Sequence, residues 1–163
     1  MNRISKNIYL FRNGTPKVKN YGAKEECSEQ VEDDRLLTLQ ERLTAGNILK
    51  KPPAFKVVVF ESDEKSRNLA EILMKNSANP VIFPMSNIED RCGSIARMCT
   101  ISKKEDILVV ASNNIIIGIA VSITQDPNVR SIDLDFCEGI KITINEDGTH
   151  FHKISDTIKM VCD

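Results

Sequence analysis

The chain has 163 residues, 41% hydrophobic and 28% charged, with 22 Lys and Arg against 23 Asp and Glu for a formal charge of −1. A chain of this size can bury roughly 70% of the surface its unfolded form exposes, so one soluble domain over residues 1–163 is expected, with no disulfide or metal staple. The balanced charge argues against nucleic-acid or membrane-surface binding, and no apolar run reaches the ~20 residues of a membrane span. Met1 to Lys6 is polar, unlike a signal peptide. The five cysteines (Cys27, Cys92, Cys99, Cys137, Cys162) are irregularly spaced, without a CxxC pair or a zinc-type Cys/His spacing. They read as reduced packing thiols of a cytoplasmic protein. With Trp absent and aromatics at 5%, the core must be built from Ile, Leu and Val.

Asn7 to Phe11 is an apolar run ending in Arg12-Asn13-Gly14, the pattern of a buried strand entering a turn. Lys17 to Arg35 lacks apolar periodicity and carries Glu25, Glu26, Glu29, Glu32, Asp33 and Asp34, so an acidic solvated loop is expected there. Thr38 with Glu41 has the spacing of a capping box. Leu39, Leu43, Gly46 and Leu49 follow at helical spacing until Pro52-Pro53 forbids continuation. Lys56 to Phe60 contains three consecutive β-branched valines and is the strongest strand signal. Ser62 or Asp63 can cap a helix whose stripe is Leu69, Ile72 and Leu73.

Pro80 to Phe83 reads as a third strand, Ile95 to Ile101 as a helix and Asp106 to Ala111 as a fourth strand. Ser112-Asn113-Asn114 turns the chain into Ile115 to Ile123, which is apolar nearly all round and reads as a buried helix within an α/β rhythm. Ile140, Ile142 and Ile144 alternate, Asn145 to Gly148 is turn chemistry, and Phe151 to Ile154 returns as the second strand of a hairpin. The sum is an α/β fold, a three-layer αβα sandwich with a mostly parallel central sheet and a C-terminal β-hairpin. Ligands of such sheets sit beyond the carboxyl ends of the strands. Three polar clusters fall at such ends: Arg12-Asn13-Gly14, Ser62 to Arg67, and Ser112-Asn113-Asn114.

In that order and on those elements, the clusters resemble the histidine phosphatase superfamily, which includes cofactor-dependent phosphoglycerate mutases and compact phosphohistidine phosphatases. Ile8-Tyr9-Leu10-Phe11-Arg12-Asn13-Gly14 is similar to the family's strand ending in Arg-His-Gly. Leu37-Thr38 with Arg42 and Ala45 resembles its Leu-Thr-x-x-Gly-x-x-Gln-Ala helix start, with Glu41 where the family has Gly. Ser62 to Leu73 resembles Ser-x-x-x-Arg-Ala-x-x-Thr-Ala, and Val109 to Asn113 resembles the strand ending in Ser-His. The resemblance implies a phosphoglycerate mutase-like fold. The short connection between Pro84 and Asp106 fits the compact phosphohistidine phosphatases better than the mutases.

The resemblance also implies what this chain has lost. The family's nucleophilic histidine falls on Asn13, the second histidine on Asn113 and the phosphate-gripping arginine on Lys65, with Arg67 on a different helix face. A carboxamide nitrogen, its lone pair delocalised into the carbonyl, does not attack phosphorus, although it can donate a hydrogen bond to an anion. Lysine keeps a charge but not the planar two-pronged grip of arginine. Arg12 alone is unchanged from the pocket, and Glu89 is the candidate proton donor. Carboxylates in the acidic loop would repel a phosphorylated substrate over a Debye length of ~8 Å.

The expected protein is therefore a catalytically inactive pseudophosphatase whose residual phosphate pocket is Arg12, Asn13, Lys65, Arg67 and Asn113. No cofactor or metal is expected. Its ligand would be phosphate or a phosphorylated small molecule or protein, and it would act by binding a protein partner or by forming a homo-oligomer. The alternative is an active phosphoglycerate mutase, phosphomonoesterase or phosphohistidine phosphatase with a non-standard mechanism. His150 and His152 share a strand face without a third ligand nearby in sequence, and read as solvated.

Overall fold

The structure, a computed structural model, describes residues 5–13, 37–85, 91–101 and 106–155. The acidic segment at 17–35, Glu89, Cys27 and Cys162 lie outside the described residues. Strands β1 (Lys6–Arg12), β2 (Val57–Phe60), β3 (Val81–Pro84), β4 (Ile107–Ala111), β5 (Gly139–Asn145) and β6 (Gly148–Ile154) form one six-stranded sheet in the order β3-β2-β4-β1-β5-β6. The first four are mutually parallel, while β5 runs antiparallel to β1 and carries β6 as a hairpin.

Residues of period two divide between the two faces of this sheet. Ile8, Leu10, Val57, Val59, Ile107, Val109, Ile140 and Ile142 pack against helices α3 (Arg91–Ile101) and α4 (Asn113–Thr124). Tyr9, Phe11, Val58, Leu108 and Val110 face helices α1 (Leu39–Ile48) and α2 (Glu64–Leu73). Burying each large aliphatic side chain contributes about 1.5–3 kcal/mol. Two covered faces explain why β4 is apolar at every position rather than alternating. α4 is similarly apolar because it packs on both the sheet and α3, and a Cβ on Gly118 would stand 2.6 Å from the Cys92 sulfur.

Local chemistry sets the helix starts. The Thr38 hydroxyl accepts from the Glu41 amide at 3.1 Å and the Glu41 carboxylate accepts from the Thr38 amide at 2.9 Å, completing the box. Asp63 caps α2 through the Ser66 amide at 3.0 Å. Lys6 is buried and its ammonium donates to the carbonyls of Cys99 and Thr100, at 2.7 and 3.0 Å, where α3 ends and free carbonyls attract a cation.

Four expectations need correction. The stripe of α1 is not Leu39 and Leu43, which are 67% and 59% exposed; the inward face is Glu41, Ala45 and Ile48. Asn113 and Asn114 lie in the first turn of α4, because Ser112 already has the extended backbone of an N-cap. α3 begins at Arg91, four residues before the first apolar signal, and β6 begins at Gly148, directly after the two-residue turn Glu146-Asp147.

Candidate functional site

β1, β2 and β4 all end on the same side of the sheet, and their last residues deliver Arg12, Glu61 and Ser112 to one crevice. The Asn13 amide donates to the Ala111 carbonyl at 2.9 Å, which fixes the Asn13 side chain beside the start of α4. Its Nδ2 donates to the Ser66 hydroxyl at 3.2 Å. Ser66 is fully buried and in turn donates to Asp63 Oδ1 at 2.7 Å. A chain of neutral amide, hydroxyl and carboxylate thus stands where the resemblance calls for an imidazole facing a guanidinium.

Arg12 closes one wall. Its backbone is held between β4 and β5, its guanidinium donates to the Leu134 carbonyl, and the same group lies 4.3 Å from the centre of the Phe136 ring. On the opposite wall, the Glu61 carboxylate accepts from the Ser112 amide. Asn113 follows at the start of α4, whose N-cap makes no side-chain hydrogen bond. Among the described residues the buried Asn113 Oδ1 has no hydrogen-bond partner. An unsatisfied buried acceptor costs about 1–3 kcal/mol.

The two cations expected to line the pocket are both held in ion pairs. Lys65 Nζ lies 3.9 Å from Glu41 Oε1, with both side chains nearly buried between α1 and α2. Arg67 is exposed and pairs with Glu71 at 3.7 Å, one turn along α2. The contact with Asn13 comes from Ser66, whose spacing from Asp63 was readable only as a cap. Glu61 and Phe136 had no signal in the sequence at all. His150 and His152 are exposed on β6, opposite Thr143 and Lys141 and well back from the carboxyl ends.

Among the described cysteines Cys137 adjoins this crevice through its backbone, its amide donating to the Arg12 carbonyl at 3.0 Å. Burial, reinforced by the Glu41 carboxylate and opposed by Lys65, pushes its thiol up to about 12. At neutral pH such a thiol stays protonated, which makes it a poor nucleophile. Cys137 also holds a left-handed backbone, φ 67°, which turns the chain into β5 beneath Arg12. Among the described residues no group of three His, Cys, Asp or Glu side chains is arranged to hold a metal.

No protein-family model and no curated protein matches the sequence. Solved structures do match over nearly the whole chain. The protein histidine phosphatase SixA complexed with tungstate aligns with a TM-score of 0.64 at 11% identity, covering 94% of this chain and 99% of that one. A phosphoserine phosphatase mutant from Entamoeba histolytica gives 0.61 at 10% identity, with coverages of 93% and 98%. A phosphoglycerate mutase from Plasmodium falciparum gives 0.57 at 16% identity, with coverages of 91% and 89%. The chain has the phosphoglycerate mutase-like fold.

Proposed function

We propose that this protein is a pseudophosphatase: a binding protein on a phosphatase fold that has lost phosphoryl transfer. The observation that carries the reading is the Asn13–Ser66–Asp63 chain. Phosphoryl transfer through the protein needs a nitrogen that can attack phosphorus and then hold it. An amide nitrogen at position 13 can do neither, and its hydrogen-bond partner is a neutral hydroxyl. The second amide, at position 113, cannot become cationic to stabilise charge on a transferring group.

What remains is a weak oxyanion site. The uncapped first turn of α4 offers backbone amides and the favourable end of the helix dipole, and Asn13 and Asn113 add neutral donors. Arg12 supplies the positive charge. Glu61 and Asp63 oppose it, which sets affinity for phosphate or a phosphorylated small molecule or protein far below that of an active-site pocket. The proposal includes a cytosolic setting, supported by the free thiols of Cys92, Cys99 and Cys137. Among the described residues no helix is long and apolar enough to cross a membrane.

The alternative, an enzyme with a substitute nucleophile, has one observation in its favour: the 2.7 Å bond from the Ser66 hydroxyl to Asp63. Both readings are tested by assaying p-nitrophenyl phosphate and 3-phosphoglycerate with the unmodified protein, with Ser66→Ala, and with the triple variant Asn13→His, Ser66→Arg, Asn113→His. The expected result is no turnover by the unmodified protein and measurable turnover by the triple variant. Turnover by the unmodified protein that Ser66→Ala abolishes would establish the alternative. Tungstate should raise the melting temperature of the unmodified protein by a small, saturable amount that Arg12→Ala removes, because a ligand stabilises the state it binds.

A further inference from the structure

The edge of the sheet formed by β6 is seven residues long and exposed along most of its length. Phe151 packs on the α3–α4 side of the sheet and Ile154 on the α1–α2 side, so strand alternation sets His150 and His152 next to each other on the α1–α2 side. Their neighbours across β5 are engaged with β1: the Thr143 hydroxyl donates to Asn7 Oδ1 at 3.1 Å, and the Lys141 ammonium lies 5.3 Å from the centre of the Tyr9 ring. Two imidazoles are half of a tetrahedral nitrogen set, and among the described residues no third His, Cys, Asp or Glu joins them. We propose that β6 carries one half of a zinc site, completed by His150 and His152 of a second copy paired antiparallel along the same edge.

The backbone determines how the two edges meet. Asn145 and Gly148 close a two-residue turn and form the first hydrogen-bonded pair of the hairpin. By alternation His150, His152 and Ile154 also bond to β5, and Thr149, Phe151 and Lys153 turn their amides and carbonyls outward. The far side of β5 gives the same phase. There the Arg12 amide donates to the Glu138 carbonyl, so Ile140, Ile142 and Ile144 bond to β1 and the residues between them face β6.

An outward set with Phe151 at its middle admits a twofold axis through that residue. The axis pairs Phe151 with its own copy and Thr149 with Lys153. It sets His150 directly opposite His152 of the second copy, twice, in the non-hydrogen-bonded positions where facing Cβ atoms lie only about 5 Å apart. Along each strand the two histidines are ~7 Å apart. Four imidazoles at the corners of that small rectangle can converge on one ion with Zn–N distances of ~2.1 Å. A register shifted by two residues keeps a single facing histidine pair, so the His150-Phe151-His152 symmetry selects this axis. One strand edge is short of the ~800 Å² per partner typical of stable dimers. Backbone pairing alone therefore does not hold the copies together, and their association depends on the metal.

Zinc chloride titrated into the protein, followed by calorimetry and by sedimentation velocity, tests the proposal against EDTA and magnesium chloride as references. Zinc should at least double the mass found in EDTA, with heat saturating at one zinc per two chains, while magnesium, which prefers oxygen ligands, should leave the mass unchanged. His150→Ala and His152→Ala should each weaken the zinc-dependent association at least tenfold. Thr149→Pro keeps both histidines and removes an outward amide that β5 does not use, and it should weaken association to a similar degree, with circular dichroism confirming the fold. A mass indifferent to zinc, or one zinc bound per chain at unchanged mass, would overturn the proposal. Zinc-dependent association that survives all three substitutions would overturn it equally.

Discussion

Exchanging imidazole for carboxamide at position 13 preserves size and hydrogen-bonding reach while removing basicity and nucleophilicity, so a crevice can keep its shape after its reaction is gone. Asn13 fits that description, with its side chain bonded to Ser66 and its backbone to Ala111. Asn113 is the opposite case, a buried oxygen without a partner among the described residues. Asn113→Ala should therefore raise the melting temperature, by roughly 2–4 °C for each ~1 kcal/mol recovered, while lowering any affinity for tungstate. Thermal melts with and without tungstate would check both halves. Two buried thiols allow a second expectation. Burial pushes Cys99 and Cys137 up to about 12 from 9.0, against the opposing pull of Lys6 and Lys65 respectively. Between those values the unfolded chain has released protons that the folded one retains, so stability is complete below pH 9 and falls as pH rises toward 12. Urea melts across that range should show the decline, and Cys99→Ala/Cys137→Ala should flatten its slope.

At the scale of elements, β5 is attached to β1 closely enough that Gly139 tolerates no side chain. A Cβ there would stand 2.4 Å from the Leu10 carbonyl and 2.9 Å from the Phe11 ring. Gly139→Ala should cost about 2 kcal/mol and disturb the crevice through Arg12, whose amide bonds to Glu138 at 2.8 Å. Urea denaturation gives the first quantity, and the loss of tungstate stabilisation gives the second. The strands and their order of appearance were legible in the sequence because β-branched runs such as Val57 to Val59 leave no other good conformation. Capping chemistry made Thr38 and Asp63 equally legible. The burial of α1 was not, since its inward face combines Ala45 and Ile48 with a carboxylate, Glu41, that no hydrophobic pattern selects. Glu41 is buried because it serves the cap and pairs with Lys65 together, and that pairing spans two helices. Spacing along α2 does not say which of three consecutive residues turns toward β1.

For the molecule as a whole, the sheet order places β1 and β4 side by side at the centre, so the amides at 13 and 113 come from adjacent strand ends although one hundred residues separate them. That convergence is a property of the fold, and the solved phosphatases and mutase with which it aligns share it at 10–16% identity. The central claim is that no phosphorus–nitrogen bond forms on this protein. Incubating the unmodified chain with a radiolabelled phosphomonoester, quenching in alkali and counting label retained on the denatured polypeptide tests it most directly. The expected count is that of a boiled control; label that survives alkali and is released by acid, the behaviour of a phosphorylated imidazole, would contradict the account.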